Sequence, residues 1–221
     1  VAGVDGLDGA YAVAISPDGA HVYAAGLEDD SLAVFSRDAT TGALTFSSRV
    51  QDGVAGVDGL DAVASVTVTP DGRHVYATGA SDSAVSVFTR DTASGALGFV
   101  ERKRDNEGDT LRLNSPYYVV VSEDGRHVFA TSATENALNV FRRDPETGRL
   151  SLAQLEQDGV DGVSKLAGPR GIAIARRGLA TYVASSAENA VTVFTPEPDA
   201  ALLGLAALAA LAALARRRTR R

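Results

Sequence analysis

Three kinds of side chain in this sequence could do chemistry, and each sits in a recurring position. The histidines, His21, His74 and His127, stand 53 residues apart. Imidazole is a proton carrier and a metal ligand near neutral pH. Each of these, however, follows an Asp-Gly turn in its own copy of a repeat, and one His per unit does not converge on one ion. A hydrogen bond within the turn is the expected role, and the fourth copy carries Ala180 there. Carboxylates cluster in Asp-Gly runs at 4–9, 51–61 and 157–162. Acids two to six residues apart can hold Ca²⁺, which takes about six to eight oxygens. Their spacing matches neither the EF-hand loop nor the Gly-rich nonapeptide, so tight turns explain most of them, and calcium is the one cofactor they suggest. Arg170, after Gly168-Pro169, could bind an anionic group, but no general base stands beside it in the chain. The sequence has no Ser nucleophile elbow, phosphate-binding Gly loop or zinc motif.

The elements that must position these residues follow from a repeat. Residues 16–35, SPDGAHVYAAGLEDDSLAVF, return as 69–88, as 122–141 and, in a worn form, as 175–194, always 53 residues on. A fixed period of this size means a solenoid, propeller or array. Within one copy, short runs at Tyr11–Ser16, His21–Gly26, Ser31–Arg37 and Ala43–Val50 are rich in Val, Tyr, Phe and Thr, and Gly, Asp and Pro bound them. These are strand signals, and Asp-Gly at 18–19, 71–72 and 124–125 suits tight hairpins. Four antiparallel strands per repeat predict an all-β fold, a β-propeller of about four blades, divided 1–53, 54–106, 107–159 and 160–195. The first strand of each blade has the smallest side chains and is placed at the axis. The fourth blade has three strands, because the chain leaves through Pro196-Glu197-Pro198. Residues 1–9 match a link between blades, and no Met begins the chain. The expectation is an N-terminally truncated, open arc of a larger ring, with raw edges.

A propeller takes ligands at the mouth of its channel, which the links between blades and the loops joining second and third strands surround. The register puts Tyr11, Ala64, Tyr117 and Arg170 in one column there, and Asp8, Asp61, Asn114 and Ala167 three positions earlier. Asp8, Tyr11, Asp61, Asn114, Tyr117 and Arg170 are the candidate ligand-binding residues. Glu28, Asp29, Asp30, Asp82, Glu135 and Glu188 make the mouth acidic. They vary between copies where the scaffold columns do not, as loops that carry specificity do. The recurring pairs Arg37-Asp38, Arg90-Asp91 and Arg143-Asp144 lie at the opposite end and read as exposed ion pairs of little energetic weight.

Composition narrows the partners. The net charge of −7 includes five Arg within residues 216–221; residues 1–199 hold 16 Lys and Arg against 28 Asp and Glu, a net of −12. An acidic body excludes a nucleic-acid partner, which needs phosphates neutralised. Residues 200–215 are apolar on every side and predict a hydrophobic transmembrane helix, somewhat short for a bilayer, with the following Arg on the cytoplasmic side.

Two resemblances sharpen this. Pro196, Glu197 and Pro198, the apolar span and the terminal cluster Arg216, Arg217 and Arg218 resemble the PEP-CTERM sorting signal of Gram-negative bacteria over residues 196–221. The resemblance implies an exported protein, held transiently in the inner membrane, cut by an exosortase-type membrane protease and delivered to the envelope or extracellular matrix. Residues 1–195, with SPDG-x-HVY and AVSVF, resemble lactonase-like propellers related to phosphogluconolactonase and to YVTN-repeat surface proteins. This implies a seven-bladed parent ring. Lactonases of this kind carry Gly-Pro-Arg-His, with Arg and His acting at the lactone, whereas here Gly171 replaces the His. The favoured expectation is therefore a surface or matrix binding module whose acidic mouth takes a matrix component or a small sugar-like ligand. The alternative is a lactone or sugar-acid lactone hydrolase.

Overall fold

Among the described residues, alternating apolar residues and Asp-Gly turns build four sheets from fifteen strands. The computed structural model describes residues 4–107, 112–175 and 180–194. Blade 1 comprises β1 (Ala10–Ile15), β2 (His21–Gly26), β3 (Ser31–Arg37) and β4 (Leu44–Gln51). Blade 2 comprises β5 (Val63–Val68), β6 (His74–Gly79), β7 (Ala84–Arg90) and β8 (Leu97–Arg104), and blade 3 comprises β9 (Pro116–Val121), β10 (His127–Ser132), β11 (Ala137–Arg143) and β12 (Leu150–Gln157). Blade 4 has β13 (Pro169–Ile174), β14 (Thr181–Ser185) and β15 (Ala190–Phe194). Each sheet is antiparallel with its strands in chain order, and the last has three strands. The inner strands β1, β5, β9 and β13 lie side by side, as small residues near an axis allow. The expected incomplete propeller is what the chain forms. Residues 196–221, with the sorting-signal residues and the apolar span, lie outside the described residues, among which no helix is long and apolar enough to cross a membrane.

Blades 1 to 3 repeat two local devices. At the first turn Asp18 Oδ1 accepts the Ser16 hydroxyl (2.5 Å) and the Ala20 amide (3.0 Å), while the Ser16 amide donates to the His21 carbonyl. Gly19 supplies the positive φ of +69° that this turn needs. In the outer hairpin a β-bulge between Val34 and Phe35, repeated between Val87 and Phe88 and between Val140 and Phe141, adds twist where the blades splay. It sets Phe35 edge-on to Phe46 at 5.9 Å and Phe88 to Phe99 at 5.7 Å.

The core lies between blades. Tyr23, Leu32 and Val34 of blade 1 meet Val66, Val75 and Phe88 of blade 2, with Val57 and Leu60 of the link inserted. Blades 2 and 3 repeat this with Tyr76, Val85, Val87, Val119, Val128 and Phe141 around Leu113. Fully burying one such side chain contributes about 1.5–3 kcal/mol.

A polar latch crosses the same interfaces, and it corrects the expectation for the Arg-Asp pairs. Arg90 and Arg143 are not exposed; each is 5% accessible. Arg90 turns into blade 1, where Nη2 donates to Asp18 (2.8 Å) and to His21 Nδ1 (2.8 Å), Nε to the Tyr23 hydroxyl (2.8 Å) and Nη1 to the Gly72 carbonyl (2.9 Å). Tyr23 in turn donates to the Gly95 carbonyl (3.0 Å). Arg143 repeats the contacts to Asp71 (2.7 Å), His74 Nδ1 (2.7 Å) and Gly125 (3.0 Å), and Tyr76 donates to Gly148 (2.8 Å). The Asp of each sequence pair instead caps its own loop, as Asp91 does by accepting the Ala93 and Ser94 amides. The expected turn role of the histidines holds for their backbone, while the rings of His21 and His74 belong to the latch. A guanidinium can only donate, so each Nδ1 accepts and the ring is neutral. Burial lowers the pKa of both rings, and the adjacent Arg charge lowers it further.

Candidate functional site

The mouth is built from the end of the arc where links enter the inner strands. The loop after β2 pairs with the link before β1, since the Leu27 and Glu28 amides donate to the Gly9 and Asp8 carbonyls. Backbones approach so closely here that a side chain at Gly79 would collide with the Gly59 carbonyl. The mouth and the latches therefore occupy opposite ends of each blade, because successive strands alternate in direction.

Several acids of the mouth serve the backbone. Asp29 Oδ2 accepts the Asp8 amide (2.8 Å), Asp82 Oδ2 the Asp61 amide (3.0 Å) and Asp30 Oδ1 the Ala62 amide (2.8 Å). Asn136 does the same for Gly168 (2.9 Å). Asp52, Asp105 and Asp158 hold the link amides of Leu60, Leu113 and Leu166 at 2.9–3.0 Å. Repeated acids in the links thus have a structural cause, which sequence spacing alone does not separate from a binding one.

The carboxylates of Asp52, Asp58 and Asp82 come close enough to hold a metal ion. Arg104 already lies among them, donating to Asp58 at 3.1 Å and more closely to Asp82, while Arg102 donates to Asp58 at 2.8 Å. At this cluster a guanidinium already neutralises two of the three carboxylates, Asp58 and Asp82.

Of the candidate ligand-binding residues, the structure brings two into contact. The Arg170 guanidinium carbon sits 4.6 Å from the centre of the Tyr117 ring, joining the starts of β13 and β9. Arg170 stays exposed, and its cation rests on the electron-rich ring face. Tyr11 is exposed in the same column on β1, and Asp8 and Asp61 are exposed in the links. Asn114 is half-buried, and its carbonyl accepts the Ser132 hydroxyl (2.5 Å). The Asp61 carboxyl has a raised pKa, first through burial and then through the charges of Asp30 and Asp82. Its place in the mouth columns was visible in the sequence, but its raised proton affinity was not, because it comes from burial and from neighbours 31 and 21 residues away in the chain. A concavity of about 390 Å³ lies elsewhere, lined by Arg143, Asp144, Pro145 and Leu150 among others at the latch end of blade 3. It contains no proton-transfer set.

Comparison with known proteins agrees with this architecture. The family described as Lactonase, 7-bladed beta-propeller matches residues 2–111, 53–164 and 113–210. A 6-phosphogluconolactonase of Bacillus subtilis (strain 168) is 39% identical over 88 residues, which is 40% of this chain and 24% of that protein. Among solved structures, a putative 6-phosphogluconolactonase from Bacteroides uniformis ATCC 8492 superposes with a TM-score of 0.71 at 20% identity, covering 85% of this chain and 50% of that one. The periplasmic gluconolactonase of Pseudomonas aeruginosa gives a TM-score of 0.55 at 28% identity over 66% of this chain and 39% of that one. The chain thus spans about half the length, or less, of these relatives. With a matching family over nearly its whole length and blades of the expected kind, the chain belongs to the lactonase, 7-bladed β-propeller family.

Proposed function

We propose that this chain acts in the hydrolysis of a sugar-acid lactone, with Arg170 as the substrate-holding residue of the mouth. The observation that carries the proposal is the exposed Arg170 guanidinium seated on Tyr117 at the start of an inner strand. Ring opening adds water to the lactone carbonyl carbon, breaks the acyl–oxygen bond, and leaves a carboxylate and a hydroxyl. A fixed cation favours the negative charge that develops on the carbonyl oxygen or binds an anionic substituent of the sugar acid. The proton of the attacking water passes to a carboxylate of the same mouth, for which Asp61, exposed in the link before β5, is the candidate. The family membership supports hydrolysis over the binding-module reading, as does the engagement of Asp29, Asp30 and Asp82 in capping amides. Release of acid from a panel of aldonic-acid lactones by the full chain tests the proposal. Turnover should fall roughly 100-fold in Arg170→Ala and less in Tyr117→Leu. Release no faster than spontaneous ring opening with every lactone would end this reading.

The tail supports a second part of the proposal, that the protein is exported in a Gram-negative envelope and loses residues after Pro196-Glu197-Pro198 to a membrane protease. Mass spectrometry of the mature protein checks it; an intact 196–221 segment on external protein would refute it.

A further inference from the structure

The end of blade 3 opposite the mouth gathers positive charge on an otherwise acidic body. The cleft of about 390 Å³ there is lined by Arg142, Arg143 and Arg149, by one acid, Asp144, and by Pro145, Leu150 and Ser151. Two of the three guanidiniums are peculiar to this blade. Ser36 and Thr89 stand in the column of Arg142, and Ala43 and Ala96 in that of Arg149. Blades 1 and 2 close the same outer hairpin with those small residues, so the hairpin itself does not require the charges.

The strands hold these groups at fixed places. Arg142 and Ser151 face each other across β11 and β12, and both are exposed. Arg149 is held from the side, since its Nη1 donates to Glu101 of β8 (2.7 Å) and the same carboxylate accepts the Leu150 amide (2.9 Å). Among the described residues Arg149 makes no other hydrogen bond, and its side chain is 58% exposed, so Nε and Nη2 are open to an incoming acceptor. Arg143 is enclosed, and its Nε is buried without a hydrogen-bond partner, whereas Arg90 Nε donates to Tyr23. Asp144 turns Oδ1 to the Glu146 and Thr147 amides of its own loop.

We propose that this cleft binds a small organic oxyanion, a carboxylate or phosphate ester carried on a body of about one sugar ring. Guanidinium donors match the paired oxygens of either group, and such charge-assisted hydrogen bonds are short and strong. Arg149 and Arg142 hold the oxyanion, the Ser151 hydroxyl bonds a neighbouring polar group, and Pro145 and Leu150 form the apolar part of the wall. The volume lies at the low end of small-molecule pockets, about 300–1,000 Å³, which favours a single ring over a chain. The inference does not depend on hydrolysis at the mouth.

The test follows the Arg Nε–H signals of the full chain by NMR as glucuronate, inorganic phosphate or, as the uncharged control, glucose is added. The Arg149 signal should shift saturably with glucuronate, with half-saturation at about 1 mM, the scale that two charge-assisted hydrogen bonds supply. Glucose should leave it in place. Arg142→Gln and Arg149→Gln, both at exposed positions, should each weaken binding about tenfold through loss of one such bond, while Arg170→Ala at the mouth should leave it unchanged. Lactone release by Arg149→Gln should equal that of the parent chain, so failure here and failure at the mouth are read separately. Saturation by phosphate and not by glucuronate would uphold the site and assign it to the phosphate form of the oxyanion. No saturation with either anion, an equal response to glucose, or full binding in the double Arg142→Gln, Arg149→Gln variant overturns the proposal.

Discussion

Arg37 and Arg90 share residue type, column and turn-carbonyl contact, yet Arg90 is enclosed by Asp18, His21 and Tyr23 while Arg37 is not. Arg90→Ala strands the buried His21 imidazole and Tyr23 phenol and removes the counter-charge of the exposed Asp18 carboxylate, and should cost about 1–3 kcal/mol in denaturant unfolding. Arg37→Ala should change stability by under about 0.5 kcal/mol. Equal losses would show that the latch is not what holds these blades. The latch also sets a pH response. His21 and His74 have lowered folded pKa values, so the unfolded state binds more protons and stability is lost as pH falls below the unfolded value of about 6.5. Burial works to raise the Asp71 carboxyl, but the Thr69 and Arg143 hydrogen bonds and the Arg73 amide outweigh it and hold it at about 2. Its contribution is present above the unfolded value of about 3.9 and disappears as pH falls towards 2. Urea midpoints between pH 7.5 and 5 should decline, and His74→Gln should flatten that slope. At this scale the sequence misleads: Arg next to Asp looks like a surface pair, and only the folded register shows that each Arg reaches an acid in the preceding repeat.

Strands and turns were largely legible because they depend on near neighbours. The intervals His21–Gly26 and Ser31–Arg37 are the observed β2 and β3, while the first strand lies one residue earlier than expected and the fourth one residue later. Mouth chemistry was less legible, since Asp29 and Asp82 are acids placed to cap amides 21 residues back. The turn before β8 is a sharper test of the architecture. Gly95 has φ +76° and meets the His21 ring of the neighbouring blade. Gly95→Ala should therefore cost more than about 1 kcal/mol through backbone strain and collision together. Gly53, at φ +70° with no atom near its missing Cβ, carries only the strain. Thermal unfolding of the two Ala variants should rank them in that order. In the link, Leu60 is wholly buried between blades 1 and 2, and Leu60→Ala should cost about 2–5 kcal/mol by the same measurement.

Across the arc the interfaces are unequal. Blades 1 and 2, and 2 and 3, share both an apolar layer and a latch, whereas blades 3 and 4 share the apolar layer of Phe129, Leu138, Val140, Ile172 and Val183. Among the described residues blade 4 has three strands. Native-state hydrogen exchange should find β13–β15 opening at lower free energy than β5–β8; uniform opening would contradict this ranking. The latches have a further consequence through their span. Arg90 reaches Asp18 and His21 from 72 and 69 residues away, farther than one 53-residue unit, so each latch belongs to a pair of units and none to a single one. Duplication of residues 54–106 by unequal recombination would therefore insert a blade already joined on both sides. The array could lengthen in single steps, each intermediate as well sutured as its parent.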